Sequence, residues 1–70
     1  MSHSNPRTYT PSTEIQLMCR DCIKRRGIAG AVRALGVSRG VLLAAAGGLP
    51  VLRGSLALLE LARQRQKEAA

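Results

Sequence analysis

Gly36 is the position that most limits what this chain can fold into. It stands between two short runs with helical apolar spacing, Ala31-Val32-Arg33-Ala34-Leu35 before it and Val37-Ser38-Arg39-Gly40-Val41-Leu42-Leu43-Ala44-Ala45 after it. A helix that stops and restarts within a few residues needs a left-handed backbone position, which glycine takes without steric cost. Ser38, two residues on, offers a hydroxyl to the first free amides of the next helix. Ala31, Leu35, Val37, Leu42 and Ala45 then fall where two helices crossing at a steep angle face one another. The expectation is a helix from Ile28 to Leu35, a tight turn, and a second helix from Ser38 to Ala46.

Seventy residues make one small domain. A chain of this size buries only about 60% of the surface its unfolded form exposes, so its stability is marginal. There is no Phe or Trp and a single Tyr, so the interior must be filled by aliphatic side chains, which suits closely spaced helices. Eleven Lys and Arg stand against four Asp and Glu, a formal net charge of +7. Of the eleven, only Arg7 lies in the first ten residues, so the positive field belongs to the folded part. Such a field attracts polyanions over a Debye length. Charge by itself does not choose among DNA, RNA and an anionic membrane. No apolar run approaches the roughly 18 residues of a membrane span. The N-terminus lacks a basic stretch leading into an apolar core, so no secretory signal is expected and the chain is placed in the cytoplasm.

Residues 1–9 are polar and aperiodic and read as a mobile tail. Thr10-Pro11-Ser12-Thr13-Glu14 is a helix start: Thr10 or Ser12 as cap, Pro11 in the first turn, Glu14 at the positive end of the dipole. Ile15, Met18, Cys19, Cys22 and Ile23 form one apolar stripe of a first helix that is expected to run to Arg26 and stop at Gly27. After the two helices around Gly36, Gly47-Gly48-Leu49-Pro50 breaks the chain. Ser55 is the expected cap of a fourth helix that reaches Gln66, leaving residues 67–70 frayed. No period-two alternation supports a sheet. The expected fold class is all-α, with four short helices of residues 10–66 around one core.

The string Ala34-Leu35-Gly36-Val37-Ser38-Arg39, with Ala31, Leu42 and Ala45 around it, resembles the helix-turn-helix of the Cro/repressor family. The resemblance runs from Gly30 to Gly47, extends to the helix after Ser55, and covers about half of the chain. It implies a small repressor-like domain whose second motif helix enters the major groove of double-stranded DNA. It also implies base-reading positions at Ser38, Arg39, Gly40, Leu43 and Ala44. Three departures stand out. Val32 occupies a position where the family usually has a smaller residue. Of the reading positions only Ser38 and Arg39 can hydrogen-bond to bases. Leu43 faces outward where the family more often has a polar side chain.

Each candidate has a plainer counterpart. Arg39 carries five donors in a fixed fork, suited to guanine O6 and N7; otherwise it is a phosphate contact or a solvated charge. Ser38 reads DNA or simply caps the helix. Leu43 and Ala44 meet thymine methyls or form a protein interface. Arg25, Arg26, Arg33 and Arg53 are the expected phosphate-contacting rim, or a solvated basic surface. Cys19 and Cys22 make half of a zinc site with no second pair, and both fall on the apolar stripe, so they read as core and no metal or cofactor is expected. No catalytic constellation or phosphate-cradling glycine motif is present, so no enzyme is expected. In the last helix Leu56, Leu58, Leu59, Leu61 and Ala62 cover more than half of the circumference. Leu56 is expected to anchor it. Leu58 and Leu61 are left for a homodimer interface that would set two reading helices about 34 Å apart.

The leading expectation is therefore a dimeric DNA-binding regulator acting at the nucleoid. The alternative is the same fold reused for protein assembly, with Leu43, Ala44 and the outer leucines as contacts to a protein partner. A membrane-surface peptide fits less well, because the cations are not confined to one helix face and the glycine turn has no purpose there.

Overall fold

The computed structural model describes residues 8–69. Its elements are β1 (Thr8–Tyr9), α1 (Thr13–Leu35), α2 (Arg39–Ala46), β2 (Val51–Leu52) and α3 (Arg53–Ala69). The chain is mostly helical, and α1 packs against both α2 and α3.

Helix α1 begins as its sequence dictates. Ser12 is the N-cap, its Oγ accepting from the Ile15 amide at 3.3 Å, and Pro11 is buried beside it. The side chain of Gln16 reaches back and donates to the Pro11 carbonyl at 2.9 Å, which fixes the entry of the chain. Ile15, Cys19 and Cys22 are buried, with Met18 and Ile23 packed at the edge of the core.

The expected four helices appear as three among the described residues. Gly27 adopts φ 76, ψ 172, a conformation open almost only to glycine, and α1 kinks there. The chain re-enters the helix at once, and α1 continues as a broken element to Leu35 instead of ending at Arg26. At its true end, Gly36 takes φ 70, ψ 29 and donates its amide to the Val32 carbonyl at 2.9 Å. The chain turns through 118° between α1 and α2. Ala31, Leu35, Val37, Leu42 and Ala45, the five residues flanking this corner, are all buried. They and Ile15, Cys19, Leu59 and Ala62 form one aliphatic core.

Other boundaries also differ from the sequence reading. Thr8 and Tyr9, expected in the tail, pair antiparallel with Leu52 and Val51. Two residues per strand are too few for an alternating pattern, and only buried Val51 ties this ladder to the core. The expected tail over residues 1–7 and residue 70 of the expected frayed end lie outside the described residues. Ser55 is not a cap: α3 starts at Arg53, directly after β2, so Ser55 sits inside it. The helix also continues past Gln66 to Ala69, as its run of Gln, Lys, Glu and Ala permits. Its anchors are Leu59 and Ala62, while Leu56 is only half-buried at the rim of the core. No single helix among the described residues is long and apolar enough to cross a membrane.

Candidate functional site

Helix α2 is eight residues long and depends on its ends. Ser38 caps it twice: Oγ accepts from the Val41 amide at 3.2 Å, and its carbonyl from the Leu42 amide at 2.9 Å. At the other end the Gly47 amide donates to the Leu43 carbonyl at 3.0 Å. The Nε of Arg20, on α1, donates to the Ala46 carbonyl at 2.7 Å. A guanidinium at a helix C-terminus satisfies a free carbonyl and opposes the negative end of the dipole, so Arg20 locks α2 against α1.

With both ends fixed, the faces of α2 are well defined. Leu42, Ala45 and Ala46 point into the core. Val41 and Ala44 are half-buried and pack against its edge. Arg39, Gly40 and Leu43 are exposed, Leu43 to 43%. The five positions grouped by the sequence therefore separate. Arg39, Gly40 and Leu43 share the open side, Ser38 has its hydroxyl engaged as a cap, and Ala44 belongs mainly to the packing.

Gly40 has no intramolecular reason to be glycine. Its φ is not positive, and a Cβ built on it would meet nothing within 4 Å. Glycine inside a helix costs about 0.8–1.0 kcal/mol relative to alanine. Gly54, at the start of α3, has the same open surroundings.

The basic residues do not form one rim. Arg33 and Arg39 come together, lining with Ile28, Ala29 and Val32 a cleft of about 500 Å³ between the second part of α1 and the start of α2. Val32 is half-buried and stands in the wall of this cleft. Arg26 is exposed just before the break at Gly27. Arg25 is engaged with Asp21 on its own helix, Nη2 to Oδ2 at 2.9 Å. Arg53 lies apart, in a cleft of about 360 Å³ with Tyr9, Leu56, Ala57 and Glu60.

Cys19 and Cys22 are both buried and free. Burial, and then the neighbouring Cys22 thiol, push Cys19 up from an ordinary 9.0 to about 11. Such a thiol is neutral at physiological pH and a poor nucleophile. On α3, Leu58 and Leu61 are 47% and 49% exposed, and they share a face one turn apart.

Sequence reasoning missed Arg20 as the clamp of α2 and missed Ile28 and Ala29 as cleft walls. Arg20 bonds across 26 positions, and no local spacing announces such a contact. Ile28 could have been found as the first apolar residue after Gly27.

No family model, no curated protein and no solved structure matches this chain.

Proposed function

We propose that this protein is a DNA-binding regulator built on a small, repressor-like helix-turn-helix. The observation that carries the reading is the corner at Gly36. A left-handed residue turns the chain into a short helix, at 118° to α1 taken as a whole, that buries Leu42 and Ala45 and leaves Arg39, Gly40 and Leu43 open. A helix joined to its neighbour by a short glycine turn at about 90–120° is the arrangement that presents its second member to the major groove. The break at Gly27 divides the preceding α1 into the two helical segments such a domain requires.

In this reading Arg39 bonds to a guanine edge, the commonest specific contact in the major groove. Gly40 keeps the surface low so that the DNA backbone or a base can approach. Leu43 meets a thymine methyl. Arg33 and Arg26 contact phosphates, which position the domain without reading sequence. Arg25 contributes less, because Asp21 already holds it. The Leu58–Leu61 face of α3 supports a homodimer, the second copy supplying the second half-site contact. The protein acts by occupying DNA at the nucleoid, not as an enzyme.

The exposed Leu43 favours one rival, a protein-assembly module using the same face. A mobility shift separates the two. A complex with DNA from the protein's own upstream region that survives excess random DNA is expected. No shift at low salt would leave the assembly module as the better account.

A further inference from the structure

Three clefts among the described residues differ in charge balance. The one of about 520 Å³ between the start of α1 and the end of α3 holds Arg63 and Lys67 but also Glu60 and Glu68. The one beside Tyr9 sets Arg53 against Glu60. Both neutralise themselves. The cleft of Ile28, Ala29, Val32, Arg33 and Arg39 is lined by two arginines and three aliphatic residues, with no carboxylate residue among them. Its volume of about 500 Å³ falls in the usual range for small-molecule sites, about 300–1,000 Å³.

We propose that this cleft binds a small amphiphilic carboxylate, whose hydrocarbon chain lies on Ile28, Ala29 and Val32 and whose carboxylate lies between Arg33 and Arg39. Two features of the site call for those two halves. The aliphatic wall is half-wet in the free protein, and covering it with hydrocarbon removes apolar surface from water. The guanidinium fork matches the two oxygens of a carboxylate in geometry as well as charge. A compact inorganic anion would meet the arginines and leave the apolar wall uncovered. A fatty alcohol would cover the wall and leave the cations without a partner.

The consequence rests on the DNA-binding reading. Arg39 cannot hold a carboxylate and a guanine edge together, so the ligand releases DNA and the site is an effector site.

The test uses the full chain and octanoate, below its micellar concentration, followed by methyl and amide NMR. Saturable shifts centred on Ile28, Ala29, Val32 and the Arg39 amide are expected. Octan-1-ol should bind about tenfold more weakly for lack of the charge-assisted hydrogen bonds, and octylammonium should not bind. Ala29 is exposed, so Ala29→Glu leaves the fold intact, sets a resident carboxylate one turn before Arg33, and should abolish the octanoate shifts. Absence of saturation would overturn the site. So would shifts confined to the α3 leucines, or equal binding of octylammonium. Inorganic phosphate that reproduces the same shifts would make the cleft a plain anion or DNA-backbone contact and equally remove the proposal. DNA release by octanoate from the wild type but not from Ala29→Glu supports the effector role. Octanoate binding without DNA release refutes that role and leaves the site standing. Octanoate binding by a chain that does not bind DNA at all refutes the DNA reading alone.

Discussion

Around Gly36 the chain reverses within three residues, and Ala31, Leu35, Val37, Leu42 and Ala45 on either side of the turn are buried. Along α3, by contrast, 17 residues run without a break, and the helix buries Leu59 and Ala62 while Leu58 and Leu61 stay half in water. The corner is specified by a left-handed glycine and a serine cap, both local, and is held by the Arg20 guanidinium that reaches the far end of α2 from 26 positions away. Helix α3 is specified by what it leans on, and its outer face is left over. The difference teaches where to look for function. On the proposed reading, the fully determined corner is the mount of the reading helix, and the undetermined apolar face is the surface for a second chain.

The comparison breaks most sharply in the core. Leu42→Ala removes a fully buried side chain from the corner and should cost about 2–5 kcal/mol. That is most of the stability of so small a domain, and urea unfolding should show a largely unfolded population. Leu58→Ala should stay within about 0.5 kcal/mol by the same assay at protein concentrations low enough to keep the chain monomeric, where the site is exposed. Equal losses would mean that α3 is as tightly specified as the corner.

Replacing Leu58 and Leu61 together with Gln should yield a folded monomer by sedimentation, with DNA affinity lowered by more than about tenfold as the second half-site contact is lost. A variant that still sediments as a dimer would move the interface to Leu43.

Arg39→Ala should weaken binding to the preferred DNA by about 1–3 kcal/mol and random DNA much less. Equal losses on both would reduce Arg39 to a phosphate contact.

The caps sharpen the contrast further. Ser38→Ala should cost about 1 kcal/mol, because its Oγ serves the Val41 amide. Ser55→Ala, inside α3, should be neutral or stabilising by up to about 0.5 kcal/mol. Thermal melts of the two variants measure the difference.

The smallest effect is on pH dependence. Cys19 is raised to about 11 in the folded chain from an ordinary 9.0, so the folded state holds its proton longer than the unfolded state. Its contribution is fully present below pH 9 and is lost as pH rises towards about 11. Melts between pH 8 and 11 should decline less steeply for Cys19→Ala than for the wild type.

What could be read from the sequence follows the same division. Gly36 and Ser38 were legible because their partners lie three or four residues away and one backbone conformation demands them. The stripe of Ile15, Cys19 and Cys22 was legible because a helix repeats. The start of α3 was not, since the Val51–Leu52 ladder with Thr8–Tyr9 hands the chain directly into Arg53 and makes the Ser55 cap unnecessary. The sequence places a helix stop at Gly27, and there the backbone leaves the helical region, but the next helical segment follows so directly that the two form one kinked element. Within the candidate site, the resemblance groups Ser38, Arg39, Gly40, Leu43 and Ala44, and of these Arg39, Gly40 and Leu43 share the open side of α2. The pairing of Arg25 with Asp21 and the separation of Arg53 were not foreseen, because they depend on which side chains the folded surface brings together.

The central claim is that α2 and its neighbouring arginines engage the DNA backbone as well as its bases. Fluorescence anisotropy of the wild-type chain on its own upstream DNA, repeated from low to physiological salt, tests this most directly. The account predicts a linear fall of log affinity with log salt, with a slope of about −0.9 for each phosphate contacted, so several units per protomer pair. A flat titration, or no binding at the lowest salt, would contradict it.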